Sequence, residues 1–291
     1  MAKQYPVTRK MEISEVSGQA NVQLRVDREL SKMNRRLYRE GRNYTVKLDL
    51  NPQQAQAGNF VEVFALKDTW FIHKAWQFAF QEYLNATALE RDRAGKTQQA
   101  RWNDFRVNSG LGLQLANSRA YTKSGSAQSL TDGEFLLSEV EDSSGTTRQF
   151  TWSDSPTSGE YGILVEYGKQ GRPPSTPTSP GVDQPYSDQD SDASNVEWDD
   201  VTDHGNEPPY KSVIRHTTPW IKVATLSVDA GMQKLSTGFF NAPCGIVMIR
   251  GLSTQVAQEM QLEVKAGDYK GVHAPRMFNQ IKEHNNQVKV V

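Results

Sequence analysis

The sequence predicts an all-β fold: one jelly-roll sandwich of about eight antiparallel strands, carrying helical insertions and a long acidic surface loop. Three observations predict it. Eight or nine short segments alternate apolar and polar residues or form brief apolar runs, as strands do. Their connections are long and uneven and no internal repeat is found, which suits a Greek-key or jelly-roll sandwich better than a propeller. Lastly, 291 residues with 6 Trp, 10 Tyr and 11 Phe can fill the core of one large β domain, so residues 1–291 are expected to form a single unit.

Taken in order, Val22, Leu24 and Val26 alternate with polar neighbours and predict a half-buried strand. Residues 28–40 change to helical spacing. Tyr44, Val46, Leu48 and Leu50 share one face of a strand that Asn51-Pro52 stops, and residues 59–66 predict another strand. The run DTWFIHKAWQFAFQEYLNATALERDR has the length and pattern of a helix ended by Gly95, with Asp68 or Thr69 as its cap. Ile72, Trp76, Ala79, Phe80 and Tyr83 form its apolar face. A shorter helix is expected over 97–107, and residues 108–134, rich in Gly, Ser, Asn and Thr, read as loop. A meander follows over 135–141, 147–152 and 161–167. Residues 168–211 are the Pro-, Ser- and Asp-rich acidic loop, and strands over 221–228, 235–240, 245–250 and 260–266 complete the chain.

The formal net charge of −1 conceals a polarised chain. Nine acidic residues and no Lys or Arg lie between Pro173 and Tyr210, so the remainder carries a formal +8. The first fifty residues hold eleven basic and six acidic side chains, and 1–42 form a basic N-terminal segment. Two surfaces meeting two different environments are expected. A single cysteine, Cys244, excludes an intrachain disulfide. The start of the chain has no signal-peptide pattern, and the apolar run 244–249 is too short to span a bilayer, which needs about 20 residues. A soluble intracellular product is the expectation.

The most informative constellation is basic. Arg28, Lys32, Arg35, Arg36, Arg39 and Arg42 cluster on one face if residues 28–40 continue as a helix, with Val26, Leu30, Met33 and Leu37 opposite. Arginine forks suit phosphate oxygens, so the six are candidates for nucleic-acid contact. The alternative is a solvated face or an intersubunit salt-bridge row. Gly41 falls where such a helix would end.

Other chemistry is thinly supported. Asp188, Asp190, Asp192 and Asp199 have part of a calcium-loop spacing, but Ala193 stands where the sharp turn needs Gly, and a solvated acidic loop is the reading kept. The five histidines lack HxH and HExxH spacing, and no Gly-rich phosphate loop is found. Cys244, in APCGIVMI, reads as a core thiol, and Trp70, Trp76 and Trp102 as core aromatics and not base-stacking platforms. Neither a catalytic residue nor a metal or cofactor site is expected, and the chain is read as a non-enzyme.

The run VATLSVDAGMQKLSTGFFNAPCGIVMIRG resembles the last strands of jelly-roll coat proteins from small circular single-stranded DNA viruses that replicate through a Rep protein. VEVFALKDTWFIHKAWQFAF resembles the same family where a helix interrupts the strands. The resemblance covers about the last 80 residues and the segment near 60–80. It implies a capsid subunit that assembles with itself, about 60 copies in a closed T=1 icosahedral shell, around a single-stranded DNA genome. It also implies a virion protein put together inside the host cell. The N-terminus departs from that family, whose members often begin with an arginine-rich arm. With +5 on the first fifty residues, only weak neutralisation of a packaged strand is expected. The alternative reading is a β-sandwich binding module, carbohydrate-binding or phage tail-associated.

Overall fold

The computed structural model describes residues 6–13, 21–51, 59–98, 102–116, 118–121, 124, 127–129, 135–141, 145–170, 219–228, 234–251 and 259–277. It is mostly β-sheet, and its main sheets are antiparallel. The first sheet is built from β1 (Lys10–Ile13), β15 (Glu259–Val264), β3 (Asn43–Asn51) and β12 (Leu235–Ser236) in that order, with β13 (Phe240–Pro243) pairing the other half of β3. The second runs β11 (Trp220–Val228), β4 (Asn59–Leu66), β14 (Ile246–Arg250), β2 (Asn21–Arg25) and β5 (Gln114–Leu115). Every pairing in these two sheets is antiparallel except β2 with β5. In chain order the long strands cross between the sheets except from β4 to β11: β1, β3, β12, β13 and β15 belong to the first sheet, and β2, β4, β5, β11 and β14 to the second.

Alternation within the strands makes the core. Met11 and Ile13, then Val46, Leu48 and Leu50, then Leu262 and Val264 turn inward from the first sheet. Val22, Leu24, Val61, Val63, Val247 and Ile249 meet them from the second. Each such fully buried aliphatic contributes about 1.5–3 kcal/mol before entropy costs. The second sheet is buried on its other face too. There Ile246, Met248, Leu66 and Trp220 pack under α2 (Trp70–Ala86), α4 (Ile163–Gln170) and the strands β8 (Glu139–Glu141), β9 (Thr147–Thr151) and β10 (Glu160–Gly162). β14 alternates between the two cores, which is why IVMI reads as an unbroken apolar run. The remaining elements are α1 (Val26–Asn34), α3 (Ala88–Gln98) and the hairpin of β6 (Arg119–Tyr121) with β7 (Ala127–Ser129). Among the described residues no helix is long and apolar enough to cross a membrane.

Several expectations are corrected. The strand expected over 161–167 is helical from Ile163, because Ile163, Leu164 and Tyr167 lie together on one helix face against α2. β10 pairs β9 in parallel, so the three segments do not form a meander. The long helix breaks at Thr87 and resumes through Gly95 as α3, while 102–107 holds no helix. Thr69 caps α2 by position only, without a side-chain bond, and Asp68 serves His73, Asn43 and Asn241 instead. Short strands β5 to β7 occupy part of the expected loop 108–134. Of the acidic loop 168–211, residues 168–170 finish α4, and 171–211, with Asp188, Asp190, Asp192 and Asp199, lie outside the described residues.

Candidate functional site

The residues just upstream of the expected basic row set the site. β2 sends Val22 and Leu24 into the sandwich core, so Gln23 and Arg25 project from its opposite face. The chain then turns directly into α1, whose Val26 and Leu30 stay in the core and whose Asp27 and Glu29 are buried.

The basic row is not one helical face. α1 ends at Asn34, and Arg35 adopts a left-handed conformation with φ 52°, its N–H bonding Ser31 O. Asn34 holds that end, its amide bonding Leu30 O at 3.1 Å and pairing with the backbone of Thr8. The cause is tertiary. Continuing the helix would bring Leu37 to the core stripe, whereas the fully buried side chain is Tyr38, whose N–H bonds Ser31 Oγ at 2.7 Å and whose hydroxyl bonds Lys270 O at 3.0 Å. Burial pushes the Tyr38 phenol up.

Nor do the six cations share one role. The side chains of Arg28 and Lys32 are 5% and 3% exposed and lie 3.4 and 3.2 Å from Glu29 Oε1. The other Glu29 oxygen accepts from the Ser118 N–H and hydroxyl at 2.7 and 2.5 Å. These two are structural cations facing inward, which corrects the outward row. Arg35 is exposed and Arg36 half-buried. Arg39 is exposed and pairs with Asp104 at 2.7 Å. Arg42 donates to Ala274 O at 2.8 Å and lies over the Tyr269 ring, and burial lowers its pKa. Gly41 ends no helix. The space where its Cβ would sit is filled by the Trp76 ring.

The residues that sequence reasoning missed are Arg25, Asp27, Glu40 and Arg106. Arg25 Nη2 donates to Glu40 at 2.9 Å and to Val107 O at 2.6 Å, and the Val107 N–H donates back to Glu40 at 3.0 Å. Burial pushes the Glu40 carboxyl up to about 8, with Arg25 pulling the other way. Arg106 reaches Trp102 O at 3.2 Å and stacks over Phe135 at 4.7 Å. Asp27 is fully buried; burial raises its carboxyl, and Arg25, Arg106 and the Arg28 backbone N–H pull it the other way. The available signal was the density of RVDREL, four ionised side chains where a strand passes into a helix with apolar neighbours on both sides.

Arg25, Asp27, Arg28 and Arg106 line a cavity of ≈ 230 Å³ on the outer face of β2. Its apolar rim, Leu113, Leu115, Phe135 and Leu137, is half-buried and therefore meets solvent. Elsewhere, Cys244 is a core thiol beside Met277 Sδ at 3.7 Å, and burial holds its pKa well above the usual range, an inert setting. Trp76 stacks on Phe80 in the second core. No protein-family model matches the chain, and no curated protein or solved structure matches it either.

Proposed function

We propose that this chain is a capsid subunit with a jelly-roll fold, assembling with itself into a small T=1 shell of about 60 copies around single-stranded DNA. The observation that carries the reading is the strand succession. Eight strand positions, β1, β2, β3, β4, β11, β12 with β13, β14 and β15, give β1-β15-β3-β12/β13 facing β2-β14-β4-β11, with every neighbour antiparallel. That is the order made by winding a four-stranded antiparallel ribbon around a barrel, the double Greek key used by viral shell and lectin domains. The resemblance of the last strands and of the segment near 60–80 to small single-stranded DNA virus coat proteins favours the shell over the lectin-like use.

Within this reading the genome contact is carried by fewer cations than the sequence promises. Arg35, Arg36 and Arg39 form a short basic turn after α1, and Arg28 and Lys32 support it from inside. The test is electron microscopy and light scattering of the purified full chain. Uniform closed particles are expected. A monomer or small oligomer at every concentration, salt and pH would remove the shell reading and leave the sandwich as a binding module.

A further inference from the structure

A second basic element docks on the turn after α1. Between Tyr269 and Val272 the chain reverses through two residues, and the N–H of each end donates to the carbonyl of the other at 3.0 Å. Lys270 (φ 50°) and Gly271 (φ 91°) both adopt left-handed backbone, as a tight hairpin turn requires. Asparagine followed by glycine is the usual pair there. A lysine at the first position holds its Cβ in an unfavourable conformation. Non-glycine residues kept in such conformations concentrate where ligands are gripped.

Three hydrogen bonds fix that lysine against the first turn. Lys270 Nζ donates to Leu37 O at 2.5 Å, the Tyr38 hydroxyl donates to Lys270 O at 3.0 Å, and the Arg39 N–H donates to the Tyr269 hydroxyl at 3.2 Å. The ammonium is thereby held at the Leu37 carbonyl, between Arg36 and Arg39 in the chain. Lys270 is exposed, and the Arg39 side chain is 57% exposed although its Nη1 pairs with Asp104. Arg42 completes the group from over the Tyr269 ring. Burial, then the like charges of Arg39, Arg42 and Arg36, lower the Lys270 ammonium, and Asp104 pulls the other way. Gathered cations of this kind are relieved by an anion. A three-donor ammonium beside planar guanidinium forks suits the oxygens of a phosphate group. The geometry points to a phosphate site shared by Lys270, Arg36 and Arg39, formed where the two turns meet. This deepens the genome contact assigned to the turn after α1 and rests on that reading, but it does not require shell formation.

Fluorescence anisotropy of a labelled decathymidylate strand with the full chain at low salt tests it. Lys270→Asn suits the turn better, and Lys270→Gln keeps a donor for Leu37 O. Each should weaken strand binding about 3- to 10-fold without lowering the melting temperature, whereas Lys270→Arg should bind as the parent does. The glutamine variant carries the test should the asparagine variant not fold. Inorganic phosphate, compared with chloride at equal ionic strength, separates the sources. Displacement beyond that by chloride assigns a site open to free phosphate, and equal displacement assigns the backbone phosphate of a strand. Strand affinity unchanged in both Lys270 variants, or lost only together with melting temperature, overturns the proposal. If replacing Arg35, Arg36 and Arg39 by Gln weakens binding while the Lys270 variants do not, this inference fails and the genome-contact reading stands. If neither set matters, or the parent binds no strand, that reading fails and takes the inference with it.

Discussion

Glu40 closes the buried charge cluster, receiving the Arg25 guanidinium and the Val107 N–H on a side chain with no exposure. Glu40→Ala strands Arg25 in the interior, so chemical denaturation should read a loss of about 3–5 kcal/mol. The same carboxyl sets a pH dependence. Its pKa rises from an ordinary 4.5 to about 8 on folding, and burial raises Asp27 in the same direction. A carboxyl raised in the folded state stabilises it most when protonated, so the contribution is complete below 4.5 and fades as pH climbs through about 8. Urea midpoints should therefore fall across that window, and Glu40→Gln should flatten the slope. A midpoint that rises across the window in the parent chain would mean that Arg25 outweighs burial and holds the Glu40 carboxyl down. None of this was legible locally. Glu29 binds Ser118, 89 residues away, and Glu40 binds Val107, 67 away, and periodicity carries no signal for such partners.

At the scale of elements, the strands were the legible part, because a sheet with the core on one face imposes period-two alternation and a sheet between two cores imposes a short apolar run. β3, β4, β11, β14 and β15 fall within a residue or two of their expected bounds. The helices were misjudged where a neighbour overrode local pattern. α1 stops early to bury Tyr38, and α4 forms because α2 offers an apolar face to Ile163 and Leu164. β1 had no strong signal, being four residues at the edge of a sheet. Two substitutions test these causes. Leu30→Ala removes the side chain that docks α1 on the core and should cost about 2–5 kcal/mol. Gly41→Val drives a side chain into the space held by Trp76, rigid in its stack with Phe80, and should cost at least 1–3 kcal/mol as roughly expected of overpacking. A Gly41→Val chain with parental stability would mean that α2 is free to shift, contrary to its packing in the second core.

For the whole molecule, the charge inventory changes meaning once the pairs are drawn. Of the eleven basic residues in the first fifty, Lys10 and Lys47 pair with Glu263, Arg25 with Glu40, Arg28 and Lys32 with Glu29, and Arg39 with Asp104. The basic segment is therefore used largely inside the subunit, holding the sandwich edge and the α1 cluster. A single-stranded genome would meet mainly the turn after α1. Counterion release then gives a shallow salt dependence: with about three phosphate contacts the slope of log K against log salt is roughly −2. Replacing Arg35, Arg36 and Arg39 together by Gln should bring that slope close to zero while leaving the fold intact, since the Arg39–Asp104 pair, with its arginine exposed, contributes at most about 1 kcal/mol. Arg28→Gln should behave in the opposite way, lowering stability with little effect on the slope, because its side chain faces Glu29 and the interior. With so little cationic demand for a genome, particle formation should not require nucleic acid, and particles assembled from nuclease-treated protein should show the ultraviolet spectrum of protein alone. If assembly instead fails whenever nucleic acid is removed and returns when single-stranded DNA is added, cations beyond the turn after α1 must face the genome, and the inward assignment of Arg28 and Lys32 would be the first to be revised.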